Sequence, residues 1–403
     1  MPRNYNDWLA AYVTYAGFSE APKRMHFWSG VAAIAGALRR RVWLSMGYYR
    51  WCVNHYIVFV APPGIVSKST TVAIAMDILR KVPGVTFGPD IVTWPALVSA
   101  FAASTESFAV VGDDNEESWH TQCALTLESS EFGNLVNPAD REMIDLLVTL
   151  WDSKQGGFNK VTKNSGSDKI ENPWINMIAC TTPGWIAGNF PKYVIEGGFT
   201  SRCLFVYTDK KEKLVAYPIF HIPPGMLETQ AKLAADLEHI ATTLVGPYHL
   251  CEDKDNNARK WGEDWYDYHY AHPPAHLQDN RFGGYLARKQ THVHKLAMII
   301  AASQRDELII SLADLELAAT MVTDLETDMP KVFASIGRTE DSIQAERFVE
   351  FVRKNSPTTY MAAYKYVHAA FPFVKDYEGI VAGAVQAGLI KFDQTKFVLT
   401  KGD

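Results

Sequence analysis

The sequence predicts an α/β fold organised around a largely parallel sheet, and two features predict it. Between residues 51 and 217, strand-like apolar runs alternate with stretches of helical spacing, the pattern of strands joined by crossover helices. The first run, Tyr56-Ile57-Val58-Phe59-Val60, is apolar throughout, as strands buried on both faces are. It continues as Ala61-Pro62-Pro63-Gly64-Ile65-Val66-Ser67-Lys68-Ser69-Thr70-Thr71, a Pro/Gly turn leading into apolar residues at helical spacing from Thr71 to Lys81. The later strand runs are Phe108–Gly112, Cys123–Leu127, Trp174–Cys180 and Cys203–Tyr207.

The flanking segments differ in character. Residues 1–50 read as an N-terminal helical element: Trp8, Tyr12 and Phe18 precede the Ser19-Glu20-Ala21-Pro22 break, and an amphipathic stretch runs from Lys23 to Arg41. Beyond Pro218-Ile219-Phe220-His221-Ile222-Pro223-Pro224-Gly225 the pattern is almost wholly helical from Met226 to Phe333, which makes 218–338 a helical lid region behind the 51–217 core. Residues 339–403 read as three short helices and a hairpin: Ile343–Lys354, a helix from Ser356-Pro357-Thr358-Thr359 to about Phe371, Tyr377–Leu389, and the alternating Ile390–Thr400. That order is winged-helix-like. Lys365, Lys375, Lys391 and Lys396 make no dense basic face, so DNA binding and protein docking both stay open for this domain.

Composition narrows the functional class. With 403 residues, 47% apolar and 21% charged, the chain has the make-up of a folded globular protein. A net charge of −6 argues against a surface coated in basic residues for duplex DNA, although a local basic channel is compatible with it. The longest apolar stretch, Gly30–Leu38, is too short to cross a bilayer, and no signal-peptide pattern opens the chain. Five widely spaced cysteines without a C-x-x-C pair indicate neither a zinc ribbon nor a disulfide framework, so a reducing cytoplasm is expected.

The turn after the first strand has the pattern of a phosphate-binding loop. Backbone N–H groups gathered at a helix N-terminus favour phosphate, and Pro63, Gly64, Ser67, Lys68, Ser69 and Thr70 are the expected nucleotide-binding residues. Lys68 would reach the β/γ-phosphates and Ser69 would ligate Mg²⁺, the roles of lysine and hydroxyl in G-x-x-x-x-G-K-[ST]. Two departures stand out: Ser67 occupies the position of the last glycine, and Gly64 is one residue farther from the lysine than usual. Hydrolysis also needs acidic groups at a neighbouring strand end. Ala124–Gly133 supplies Glu131 as the water-orienting residue, with Ser130 where an acidic partner is usual, and Glu128 as the alternative on the metal side. Thr181, ending the strand Trp174–Cys180, is placed either near the γ-phosphate or as a helix cap. Arg202, between a Gly-rich turn and the last strand, is a candidate for stabilising transition-state charge from a neighbouring subunit, with an ordinary salt-bridge arginine as the rival reading. Arg288, Lys289 and Lys295 are candidates for reaching the nucleotide from the lid. Asp152–Lys169 reads as a projecting Gly/Lys-rich hairpin, in which Lys154, Phe158, Lys160, Lys163 and Lys169 would hold single-stranded nucleic acid through phosphate charge and base stacking.

In this order, Ala61-Pro62-Pro63-Gly64 to Thr71, Ser130-Glu131-Phe132-Gly133, Asn172-Pro173-Trp174, Thr181-Thr182-Pro183 and Gly197-Gly198-Phe199-Thr200-Ser201-Arg202 resemble a family of P-loop ATPases of uncharacterised domain type, found in phage and plasmid replication proteins and often fused to primases. The resemblance spans roughly residues 20 to 330. It implies a P-loop NTPase core of AAA+/RecA-like type, similar to AAA+ and superfamily 3 helicases, using ATP and Mg²⁺. It further implies a homo-oligomer such as a hexamer with single-stranded DNA in a central channel, gripped by the hairpin at Lys154 to Lys169, and Ser201-Arg202 as the trans arginine. A bacterial host cytoplasm and replication proteins docked on the C-terminal domain would follow. No primase cluster is evident, so a helicase-like motor is the leading expectation. Its rivals are a slowly hydrolysing nucleotide switch that loads or regulates a helicase, favoured by Ser67 and Ser130, and a scaffold with a vestigial loop.

Overall fold

Strand pairing sets the architecture, and the chain divides into two compact units, Met1–Ala334 and Ser335–Asp403. The computed structural model describes residues 2–91, 93–111, 116–162, 166–196, 198–333, 340–393 and 398–402. Gly112, Lys163, Gly197 and residues 394–397, which belong to features expected from the sequence, lie outside the described residues.

Asp7 starts α1 (Trp8–Ala16) by accepting from the Ala10 amide, and Pro22 precedes α2 (Lys23–Leu38). The Ala/Gly-rich α2 is buried on nearly every side, because small residues let its neighbours close in. A Cβ on Gly36 would stand 2.5 Å from Leu79 Cδ2, and one on Gly30 would stand 2.8 Å from Tyr12 Cδ1. The strands β1 (Val42–Ser45) and β2 (Arg50–Cys52) then pair antiparallel.

The main sheet begins with β3 (Tyr56–Val60), followed by α3 (Lys68–Leu79), α4 (Trp94–Ala103), β4 (Thr105–Val111), β5 (Glu117–Ser129), α5 (Phe132–Leu135) and α6 (Arg141–Trp151). A hairpin of β6 (Gly157–Thr162) and β7 (Gly166–Glu171) leads into β8 (Pro173–Thr181), α7 (Pro183–Asn189), α8 (Lys192–Glu196) and β9 (Cys203–Tyr207). The strand order is β4-β5-β8-β3-β9, with β5, β8, β3 and β9 parallel and β4 an antiparallel edge. Helices α3 and α6 pack on β8, and α2 packs along α3. The unit is therefore a mixed α/β fold with mainly parallel strands flanked by helices, its centre at the fully buried β3.

After β9 come α9 (Met226–Thr243), β10 (Gly246–Leu250), the two-residue pair β11 (Glu252–Asp253) and β12 (Asn256–Asn257), α10 (Ala258–Ala271), α11 (Gly283–Leu286), α12 (Lys289–Gln304), β13 (Ile309–Ile310), α13 (Leu312–Glu326) and α14 (Met329–Phe333). Here the structure departs from the expectation of a helical element at 1–50 and an almost wholly helical stretch from Met226 to Phe333. The strands β10 and β13 join β1 and β2 in a second sheet of order β13-β10-β1-β2, so residues 42–52 and part of 218–338 are strand. These strands are only two to five residues long, and the pairing of β1 with β10 spans some 200 positions of sequence, so local periodicity carries no trace of the sheet. Gly246, at φ +130°, makes the entry to β10 through a backbone conformation that side chains disfavour.

The second unit contains α15 (Glu340–Lys354), β14 (Thr358–Thr359), α16 (Tyr360–Val367), α17 (Val374–Gln386), β15 (Ile390–Asp393) and β16 (Val398–Lys401). Its core gathers Phe348, Val352, Ala363, Tyr377, Val381, Ile390 and Leu399. Among the described residues no helix is long and apolar enough to cross a membrane.

Asp7 also accepts from Ser303 and Gln304 on α12, so it ties the first helix to the helical region as well as capping it. Asp7→Ala is expected to lower unfolding free energy by about 1 kcal/mol, read as a lower urea midpoint with an unchanged denaturant slope.

Candidate functional site

In an open α/β sheet, ligands bind outside the carboxyl ends of the strands. Register aligns those ends: Val60 lies opposite Thr181 and Tyr207, while Ser129 lies opposite Ala179. The loop 61–67, Thr181 and Glu131 therefore share one edge of the sheet.

The loop is open. Pro63, Gly64, Ser67, Ser69 and Thr70 are exposed and Lys68 is half-buried. Gly64 has φ +72°, with empty space where a Cβ would stand. Ser67, at φ −79° and ψ 69°, is the centre of an inverse γ-turn closed by the Lys68 amide on Val66 O, a conformation that does not require glycine. Helix α3 begins at Lys68 with no side-chain cap, leaving first-turn N–H groups of Ser69 and Thr70 for an outside acceptor, whereas the Lys68 amide bonds within the loop to Val66 O at 2.9 Å. The Lys68 ammonium donates to Ala61 O at 3.0 Å, and the Ala61 amide donates to Thr181 O at 3.3 Å. Burial pulls the Lys68 pKa below the ordinary lysine value, against the opposing fields of Cys180 and Glu131.

Glu131 is exposed at the end of β5, where Ser129 Oγ donates to its carbonyl and accepts from its amide, fixing the backbone and leaving the carboxylate without a partner among the described residues. Glu128, the alternative candidate for the metal side, has an ion-pair partner in this structure. It is paired with the Arg80 guanidinium at 2.6 Å, which neutralises it. Thr181 is buried at the strand end, and the capping role falls to Thr182, whose Oγ accepts from Trp185 N. Among the described residues no group of three His, Cys, Asp or Glu side chains could hold a metal ion. A divalent cation beside Ser69 would thus rely on phosphate oxygens and water, the habit of Mg²⁺.

Arg202 and Arg288 lie at the other end of the sheet. Tyr56 is opposite Cys203, so Arg202 precedes the amino end of β9, about 13 Å along the strands from the loop edge. Its guanidinium is buried, with Nη2 donating to both Asp152 oxygens at 2.9 and 3.0 Å and Nη1 donating to Gly198 O at 2.9 Å. Arg202 is thus ion-paired as a salt-bridge arginine would be, and its position at the amino end keeps it away from the same chain's loop. For Arg288 the structure corrects the expectation: it stands beside Arg202, across Gly198. Lys289 is paired with Glu326 at 2.7 Å, and the Lys295 ammonium donates to Asn54 O and Oδ1 over the Trp151 ring. Neither reaches the loop. Asp152 was not legible as a partner of Arg202, because the two lie 50 positions apart and no local pattern links them.

The β6–β7 hairpin carries Phe158 and Lys160 on its first strand and Lys169 on its second, with the exposed Lys154 before it. Its base is clamped by Arg40, which donates to Ser153 O, Lys154 O and Pro173 O. It enters β8 at the amino end, the side of Arg202.

No family model and no curated protein matches the chain.

Four buried histidines flank these elements: burial holds His26 and His294 at about 4, His292 at about 3, and His55 well below its ordinary value. Each folded-state pKa lies below the unfolded one, so the unfolded chain binds more protons below pH 6.5 and stability falls as pH drops from there toward 4. Each histidine contributes up to about 1.4 kcal/mol per pH unit in that window. His294→Gln is expected to flatten the slope of unfolding free energy against pH between 6.5 and 5 by up to that amount, measured by urea titration at several pH values.

Proposed function

We propose that this chain is an ATP- and Mg²⁺-dependent oligomeric motor that works on DNA, a replicative helicase or translocase of a phage or other mobile element, acting in the cytoplasm of a bacterial host. One observation carries the reading: Lys68 heads an uncapped helix directly after the central parallel strand, with Glu131 and Thr181 at the same sheet edge. This is the arrangement expected of a P-loop NTPase core, in which phosphoryl transfer depends on positioning and electrostatics. In that reading Pro63, Gly64, Ser67 and Thr70 line the phosphates, Lys68 contacts the β/γ-phosphates and Ser69 ligates Mg²⁺. A bound Mg²⁺ would supply charge neutralisation at the phosphate oxygens. Glu131 would orient the attacking water, and Thr181 would stand near the γ-phosphate.

The clamped hairpin with Lys154, Phe158, Lys160 and Lys169 supports a single-stranded DNA contact through phosphate charge and stacking. In the C-terminal unit, α17 carries Lys375 beside Asp376 and Glu378, and Phe373, Val374, Val385 and Leu389 are exposed. That surface favours a replication protein over DNA as the partner of this unit. The slow nucleotide switch remains a second reading, favoured by the commitment of Arg202 to Asp152, which leaves no free guanidinium at that position.

ATP turnover with and without single-stranded DNA tests the proposal. Stimulation by DNA, lost in Lys68→Ala and Glu131→Gln and reduced in a Lys160→Ala/Lys163→Ala variant, is the expected result. ATP binding without turnover in the wild type would favour the switch, and absence of both would contradict the nucleotide-driven reading altogether.

A further inference from the structure

A tight turn joins β1 to β2: the Met46 amide donates to Tyr49 O at 2.9 Å, and Gly47, at φ +77°, supplies the positive φ that a two-residue hairpin turn needs. Tyr48 is held fully exposed at the tip. Tyr49 is exposed too, its ring 5.9 Å from that of Trp51. Arg50 follows directly, and because Trp43 lies opposite Cys52, the residues Trp43, Arg50 and Cys52 share one face of the hairpin. On that face the Arg50 guanidinium lies 4.5 Å over the Trp43 ring, with neither a hydrogen bond nor an ion pair among the described residues. An aromatic ring holds a guanidinium in place without using its N–H groups, so all five donors stay available.

The same face meets the base of the β6–β7 hairpin at a small polar hollow of about 30 Å³, lined by Arg40, Arg50, His120, Thr121, Gln155 and Asn172. Most of these groups are already committed. Arg40 donates to the carbonyls of Ser153, Lys154 and Pro173, and Asn172 accepts from the Gly156 amide while donating to Thr121 O. His120 bonds to Ser118 Oγ through Nε2, and burial together with the Arg50 field lowers its pKa, so it is neutral at pH 7. Arg50 is therefore the unused donor of the hollow. Burial and the field of Arg40, opposed by that of Cys52, lower the Arg50 pKa, which is the mark of a cation short of a counter-charge.

We propose that the β1–β2 hairpin is a second contact for single-stranded nucleic acid, in which Arg50 takes a backbone phosphate oxygen at the hollow and Tyr48 stacks on a neighbouring base. The inference rests on the reading above that the chain works on DNA. Size selects the ligand: a water molecule has about 30 Å³ of the liquid to itself, so the hollow admits one oxygen-sized group and no free mononucleotide. The planar guanidinium fork matches phosphate oxygens. A single exposed tyrosine is ordinary on a protein surface, but Tyr48 stands two residues from an unpaired, pre-positioned cation, and a base freed from pairing offers its face to such a ring. The exposed Lys154 immediately precedes Gln155 of the hollow, which makes the two hairpins neighbours along one path. Charge fixes the side on which that path runs. Trp51 points the other way, onto His294, where Glu263, Asp264 and Asp267 line a separate hollow that repels phosphate.

The test is the affinity of the full chain for a fluorescein-labelled oligodeoxythymidylate, read by anisotropy at several salt concentrations, for wild type, Arg50→Gln, Tyr48→Ala and Tyr48→Phe. Arg50→Gln is expected to weaken binding about 10-fold and to reduce the steepness of log K against log salt by about 0.7, the share of one phosphate contact. Tyr48→Ala is expected to weaken binding about 10-fold with the salt dependence unchanged, whereas Tyr48→Phe, which keeps the ring, binds as the wild type does. Because Tyr48 is exposed, its variants keep the wild-type thermal unfolding midpoint. Should Arg50→Gln lower that midpoint through its lost contact with Trp43, the Tyr48 pair decides the matter alone. Wild-type affinity in Tyr48→Ala, or in a stably folded Arg50→Gln, would overturn the inference and leave the DNA reading standing. Equal losses in Tyr48→Ala and Tyr48→Phe would overturn it too, because stacking does not need the hydroxyl. A wild type that binds no oligonucleotide would overturn the DNA reading and this inference together.

Discussion

The parallel pairing of β3 with β8 on one side and β9 on the other is the constraint on which the rest of the first unit depends. All five residues of β3 are buried, and their side chains leave the strand no alternative face to expose. With the three strands in fixed register, everything after a strand falls on one edge and everything before it on the other. The Pro/Gly loop, Glu131 and Thr181 share the first edge, while Arg202, the hairpin base and the start of α12 are brought to the second. No rotamer change moves a side chain between the two.

The two edges differ in electrostatic character. At the loop edge a half-buried lysine is parked on a backbone carbonyl, under the field of Glu131. At the other edge the charges are locked: Asp152 with Arg202, Lys289 with Glu326, and Lys295 with Asn54. Asp152 follows α6 directly, and the Arg40-clamped segment Ser153–Lys154 comes next, so the hairpin base and the arginine share one rigid support. Burial drives the titrations here, holding His55 and His292 neutral and lowering Lys295 to about 7.

The parallel sheet was legible in the sequence because its strands are apolar runs, and the β3-loop-α3 order was legible because proline and glycine followed by apolar residues at helical spacing are local signals. The second sheet was not, since β10 (Gly246–Leu250) is no apolar run and pairs with β1 some 200 positions away, while β13 has two residues and is defined only by pairing with β10. The site divides the same way. Lys68 and Ser69 lie in one contiguous segment and were read from it. Arg202 and Arg288 were recognised as notable cations, yet their surroundings were not foreseen: which edge an arginine occupies follows from register, and which carboxylate holds it follows from packing across 50 positions. Glu128 shows the same limit, because the Arg80 that neutralises it comes from the far end of α3.

The central claim is that the loop after β3 takes a nucleotide, and direct binding of Mg·ATP, titrated by calorimetry into wild type and Lys68→Ala, tests it most plainly. Saturable binding by the wild type at one site per chain, weakened at least about 10-fold, or 1.4 kcal/mol, in Lys68→Ala, is the predicted result. No heat of binding in the wild type, or equal affinity in the two proteins, would contradict it.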